Sequence, residues 1–312
     1  MSLQSTIIDA IGNLGDRVVT SLESAVSTDR QFALASLLTV AILIFYGPEG
    51  LYMRVVVVSA TVAIMLYPRL VNSRSLWVLF ILVTMFVYYD LWYELDNHKI
   101  LLLVWLVALV SAKLSTTPGE SLFISARLLI GMCFAMAVAW KIVTPEYVDG
   151  SFFRHLLLTD IRFEDVAELV GGVTADDLRW NYKMTRLWTL YVDPAQPFQT
   201  LGTFKYPQVI TVLTWWTVLI EATVAALFLW SSENRLTKWR DTALLVFIVS
   251  TYSVAPVVGF AWLLVAMGVA QLRDLSHRNV YAYLYIAAFF WVEIVAVIPF
   301  RTLLGRVYHF IF

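Results

Sequence analysis

Four ionisable side chains stand inside otherwise apolar runs of this sequence: Arg127, Lys141, Glu221 and Glu293. A charge near the centre of a bilayer costs about 2.5–3.5 kcal/mol on insertion scales, so such groups are paired or line a polar cavity. Glu221 is flanked by Trp215, Trp216, Leu219, Ala222 and Val224, none of which offers a counter-charge. Another segment must supply one, or the acid must be neutral. Lys141 or Arg127 could be that partner. These two stand close to four helical turns apart and project from nearly one face. Lys141 as a base or anion anchor, tuned by Glu221, would make an acid–base site. The same two groups could equally be an interhelical tie. Lys141 also stands only three residues before Thr144-Pro145, close enough to a helix end for its ammonium to reach the interface. Glu293 could face the same cavity or a partner subunit.

Other chemistry is poorly supplied. His98, His155, His277 and His309 fall in loops or near the termini, and no two have metal-ligand spacing. The single cysteine, Cys133, allows no internal disulfide and no Cys-x-x-Cys site. A Gly-x-Ser-x-Gly elbow and a phosphate loop are both missing. The expectation is therefore no metal and no resident cofactor, with a bound lipid or quinone as the remaining ligand class.

The elements that must hold these residues are set by solvent. Of 312 residues, 60% are hydrophobic and only 14% charged. Soluble domains run near ~45–50% and ~25%. A formal net charge of −1 gives no basic face for nucleic acid. A bilayer core of about 30 Å needs roughly 20 apolar residues per helix, about 17 at least. Spans are expected near 31–46, 51–67, 75–93, 98–114, 120–143, 207–231 and 279–299. The apolar stretch 241–272 is too long for one crossing and holds Pro256 near its middle. Proline removes a helix hydrogen bond and clashes with the preceding turn. It reads as two short helices, 241–255 and 257–272, and otherwise as one kinked helix, which makes nine or eight spans. The fold class is thus all-α, a polytopic helical membrane bundle with one proline-broken pair.

Charge orients it. Cytoplasmic loops carry the excess Lys and Arg. With the N-terminus cytoplasmic, inner loops hold Arg69, Arg74, Lys113, Arg235, Lys238, Arg240, Arg273 and Arg278, and outer loops hold Glu49, Glu94 and Asp96 beside Lys99. Arg301 and Arg306 fall on the opposite side from that rule. Residues 1–30 lack the apolar core of a secretory signal, while Ile7, Ile11, Leu14, Val18 and Leu22 recur at helical spacing, so an amphipathic interfacial helix is expected there. Residues 31–312 form the transmembrane bundle. The setting implied is a bacterial-type inner or plasma membrane.

The one long polar connection is 144–206. Asp160 to Leu169 followed by Gly171-Gly172 reads as a helix and its stop, and Thr174-Ala175-Asp176-Asp177 as the start of another. Trp180, Trp188, Arg179 and Lys183 then mix rings with bases, the composition of a membrane–water interface. This segment is either an extracytoplasmic helical cap or docking surface, or a re-entrant connector over helix ends. In the expected span 120–143 just before it, Gly131, Ala135 and Ala139 repeat every four residues, a spacing that admits close helix packing.

The run Ala139-Trp140-Lys141-Ile142-Val143-Thr144-Pro145-Glu146-Tyr147-Val148-Asp149-Gly150 resembles the HTTM domain, the membrane part of vitamin K-dependent gamma-carboxylase and its bacterial relatives. There a span ends in Lys-Leu, then an acidic stretch, an aromatic residue and a Gly; Lys141, Ile142, Tyr147 and Gly150 occupy the matching places. The small DoxX-like membrane proteins end a helix comparably. The resemblance implies a role for Lys141 in proton chemistry and a long extracytoplasmic connection. The family's broken-helix histidines are replaced by Tyr252-Ser253-Val254-Ala255-Pro256, and a chain ending at Phe312 leaves no room for the large lumenal domain, so carboxylation is not expected.

Two functions follow. One is a non-catalytic scaffold or accessory subunit of a larger membrane complex, docking partner subunits through 144–206. The alternative is a small lipid- or quinone-handling enzyme with Lys141 and Glu221 as its acid–base pair.

Overall fold

Apolar runs bounded by Pro, Asn and Gly become helices wherever the backbone must satisfy its own hydrogen bonds. The computed structural model describes residues 30–47, 51–92, 95–191, 200–204, 206–231, 235–272 and 280–298. Among these, all regular structure is helical. In chain order the main helices are α1 (Arg30–Tyr46), α2 (Leu51–Leu66), α3 (Arg74–Asp90), α4 (Asn97–Leu114), α5 (Pro118–Val143), α6 (Ser151–Thr159), α7 (Ala175–Tyr191), α8 (Pro207–Leu229), α9 (Arg240–Val254), α10 (Val258–Ala270) and α11 (Val280–Val297). Four of them, α4, α5, α8 and α11, are long and apolar enough to cross a membrane. The expected N-terminal amphipathic helix lies outside the described residues, as do Glu49, Glu94, Arg273, Arg278, Arg301 and Arg306.

Pro256 ends one helix and precedes another. Ala255 leaves the helical region (φ −137°, ψ 88°), and α10 begins at Val258. The stretch is two helices, not one kinked rod. Here the chain also passes from one compact unit to another: one comprises Met1–Leu129 and Gly259–Ala287, the other Ile130–Val258 and Ala288–Phe312.

In the first unit α2 buries one stripe and leaves an apolar back exposed: Met53, Val57, Ala60 and Ile64 are buried, while Val55, Val58, Val62 and Met65 stay outside. Exposed apolar surface on this scale marks a membrane-facing or partner-facing surface. Thr39 on α1 donates to the Ala35 carbonyl (2.7 Å) and accepts from the Trp105 indole (2.8 Å), a buried tie between α1 and α4. The 3₁₀ turn Pro68–Asn72 is held at the Val71 carbonyl by the Trp77 indole (2.8 Å) and by Lys113 Nζ (3.2 Å). The Lys113 ammonium also lies 4.2 Å from the Phe32 ring centroid. Arg69, Arg74, Lys113 and the start of α1 are thereby gathered at one end of the unit. The opposite end holds Tyr46, His98 and the start of α10, through the Tyr46–Trp262 and His98–Phe260 ring contacts. All of Ala261–Ala270 is buried. A Cβ at Gly268 would fall on the Tyr285 ring, so only glycine lets α10 and α11 approach this closely there.

The second unit is organised along α8, whose neighbours follow in register. Gly131 of α5 packs on Leu229, Lys141 meets Glu221, Tyr147 meets Thr217, and Gly150 lies on Ile210. α5 and α8 therefore run antiparallel, and the first half of α8 is flanked by the start of the 144–206 connection. Arg240, the first residue of α9, caps the end of α8 by donating to the Leu227 (2.7 Å) and Trp230 (2.6 Å) carbonyls. This satisfies orphan carbonyls and opposes the negative helix end.

The connection is helical, with one difference from expectation. The stretch 160–169 is not one helix: it divides into a 3₁₀ turn (Ile161–Phe163), a single α turn (Glu164–Val166) and a π turn (Ala167–Gly171) ended by left-handed Gly172 (φ 64°). Phe163 is buried in one apolar cluster and Ala167 in another, and Phe204 packs against both. The expected start at Thr174 is present, with its hydroxyl accepting from Asp177 N (3.1 Å).

Candidate functional site

The site is built where α5 ends beside the middle of α8. Lys141 Nζ donates to both carboxylate oxygens of Glu221, and the two side chains are only 18% and 9% exposed. Of the two cations available to Glu221 by sequence, Lys141 is the partner. Arg127, on the α5 segment of the first unit, lies with its guanidinium carbon 5.7 Å from the Phe123 ring centroid, and its buried Nε has no hydrogen-bond partner. Glu293 is half-buried on α11.

The turn after α5 adds to the pair. Pro145 opens the short helix Pro145–Val148, which swings buried Tyr147 back over Lys141, 5.4 Å from ring centroid to Nζ. The Tyr147 hydroxyl shares a 2.5 Å hydrogen bond with Thr217 Oγ1, one turn before Glu221 on α8. Burial pushes the Tyr147 phenol well above its ordinary range. Gly150 then takes the left-handed conformation (φ 82°) at the start of α6, and a Cβ there would come within 2.8 Å of Ile210. The Asp149 carboxylate accepts from the Ser151 amide (2.8 Å), which holds that carboxyl below its usual range. The motif Lys141…Tyr147…Gly150 thus has a common structural cause: each residue fixes the turn that lays the connection against α8. Cys133 and Tyr252 lie close enough to Glu221 to feel its charge.

The remaining candidates divide. Ala135 is half-buried and Ala139 is exposed, so close helix packing on that stripe is confined to Gly131. Pro256 serves the break. Arg179 pairs with Glu164 at 2.8 Å and stays exposed, as do Trp180 and Lys183; the Trp188 side chain lies outside the described residues. Asn181 escaped the sequence reading. It is fully buried, its amide donates to the Leu158 (2.9 Å) and Leu201 (2.8 Å) carbonyls, and its oxygen accepts from Leu201 N (2.7 Å). Three bonds from one side chain clamp the return of the connection to α6. A polar residue alone on a helix face, between Trp180 and Tyr182, gives no sign of this in sequence.

Chemically the pair is self-neutralised: an ammonium with both oxygens of one carboxylate. Among the described residues no group of three or more His, Cys, Asp or Glu could hold a metal ion. No family model, no curated protein and no solved structure matches the chain.

Proposed function

We propose that this protein is a non-catalytic accessory subunit of a membrane complex, a helical scaffold whose 144–206 connection is the docking surface. One observation carries the reading. Lys141 and Glu221 use their charges on each other, and Tyr147 and Thr217 use their hydroxyls on each other, so the candidate reactive groups are committed to fastening α5, the turn and α8. An acid–base site needs one group held ready for a substrate proton. The order of elements, a lysine-ended span, a long connection, a span, a broken pair and a last span, also supports kinship with HTTM-like domains.

In this reading α1, α2, α3, α9 and α10 join the four longer helices as crossings, nine in all, counted from the described helices. The N-terminus is cytoplasmic, because Arg69, Arg74 and Lys113 share the end of the first unit at which α1 begins. The connection then lies outside a bacterial-type inner or plasma membrane.

A lipid- or quinone-handling enzyme is the second reading, favoured by an ionisable pair between two membrane-length helices in which the Lys141 side chain keeps 18% of its surface open. Purification from the native membrane in mild detergent separates the two. Polypeptides recovered at fixed stoichiometry support the subunit. A bound isoprenoid or quinone that disappears with Lys141→Ala, and no companion polypeptide, replaces it with the enzyme.

A further inference from the structure

The outward face of α7, within the 144–206 connection, carries a stripe of its own chemistry. Arg179, Trp180, Lys183, Arg186 and Leu187 recur at three- and four-residue spacing and are all exposed, while Leu178 and Asn181 face inward. Charge along the connection is sorted. Three acids near the start of α7 are spent locally: Glu168 Oε1 accepts from Ala175 N (3.2 Å), Asp177 bonds Thr174 (2.8 Å), and Glu164 takes Arg179, while Asp176 in the first turn stays exposed. The second half of α7 is basic and apolar by turns. The Arg186 guanidinium leans on Tyr182, 5.8 Å from its ring centroid, and Lys183 extends outward.

Position adds to composition. Asn181, at the middle of α7, bonds Leu201 on both its amide and its carbonyl. Pro207, where membrane-length α8 starts, is only six positions after Leu201. At no more than ~3.6 Å per residue, that tether holds α7 within about 20 Å of the helix end. A helix so held stays within reach of the surface at which α8 enters the membrane. A face that alternates cations with an indole and a leucine fits a layer offering anionic groups and hydrocarbon together.

We infer that this stripe is a binding surface for anionic phospholipid headgroups, with Lys183 and Arg186 on the phosphates and Trp180 and Leu187 at the acyl boundary. The inference rests on the membrane reading above and not on the subunit reading, which the detergent purification tests separately. Each base near an anionic surface is worth roughly fivefold in affinity for that surface.

The test uses full-length protein in nanodiscs, with Cys133→Ala and Leu187→Cys and an environment-sensitive fluorophore on the new thiol. Brominated phosphatidylglycerol and brominated phosphatidylcholine are compared as quenchers at equal content in the same mixed bilayer. The expected result is several-fold stronger quenching by the anionic lipid, abolished by Lys183→Gln with Arg186→Gln and retained by Lys183→Arg. Asp176→Asn, at the other end of the same face, should leave the preference intact. Equal quenching by the two lipids overturns the inference, as does a preference that survives loss of both bases or that Asp176→Asn shifts as strongly. A fluorophore shielded only when polypeptides from the native membrane are retained assigns the stripe to a protein instead.

Discussion

Replacing Lys141 with methionine keeps the length and most of the apolar stem of the side chain but deletes its charge. The two side chains are 18% and 9% exposed, close to the buried limit, and the ammonium reaches both oxygens of Glu221. Removing one member of a buried pair costs about 3–5 kcal/mol, because the survivor keeps its desolvation penalty and loses its partner. Loss of the Tyr147 ring's contact with the ammonium adds about 0.5–1 kcal/mol. Lys141→Met should thus cost roughly 4 kcal/mol. At about 2–4 °C per kcal/mol for a unit of this size, the midpoint in a detergent thermal-shift assay should fall by roughly 8–16 °C. Glu221→Gln should cost less, about 1–2 kcal/mol, because an amide oxygen still accepts and Lys141, two residues from the end of α5, can carry its charge toward the interface. The double variant should recover most of the larger loss, giving a coupling of at least about 2 kcal/mol. A coupling under about 0.5 kcal/mol is the signature of a solvent-exposed pair. It would refute the claim that these two charges fasten α5 to α8.

Asn181→Leu fills the same space but strips partners from Leu158 and Leu201; about 3 kcal/mol of stability should be lost, and hydrogen exchange at the Leu201 amide should accelerate while α1–α4 amides are unchanged. Gly131→Val should cost about 1–3 kcal/mol by overpacking against Leu229, whereas Ala139→Val at its exposed position should be neutral; equal costs in the thermal assay would mean that α5 packs by its whole small-residue stripe. Tyr147 gives a pH signature. Its folded-state pKa is raised by burial, so its contribution is fully present below the unfolded value of about 10 and is lost as pH rises above it. The fall in thermal midpoint above about pH 10 should be shallower in Tyr147→Phe than in the parent protein.

The helices were legible because one solvent dictates them. In hydrocarbon every backbone group must be paired within its own segment, so apolar run length and proline alone place helix ends. That is why α1 to α5 and α8 to α11 begin and end close to the expected spans, and why Pro256 marks a true break. The polar connection obeys a different rule. Its local signals were sufficient where a side chain acts on its own neighbours, as Thr174 does on the amide of Asp177. They were incomplete at 160–169, where the stop at Gly172 is present but the backbone before it passes from 3₁₀ to α to π turns, which no side-chain pattern marks.

The same distinction separates the site residues. A charge in an apolar helix announces that it needs a partner, so Glu221 and Lys141 could be singled out in advance. Which cation answers is a matter of register between α5 and α8. The close Gly131–Leu229 contact sets that register and brings Lys141, ten residues further along, to the level of Glu221. Asn181 announces nothing: an amide in a polar helix has no cost to explain until Leu158 and Leu201 are folded around it. Sequence therefore exposes groups that are expensive where they stand, and hides those whose importance exists only in the folded contact. The pair and the clamp are mechanically alike, each holding part of the connection or its root against an apolar helix, yet only the membrane-embedded one carries its cost in the sequence.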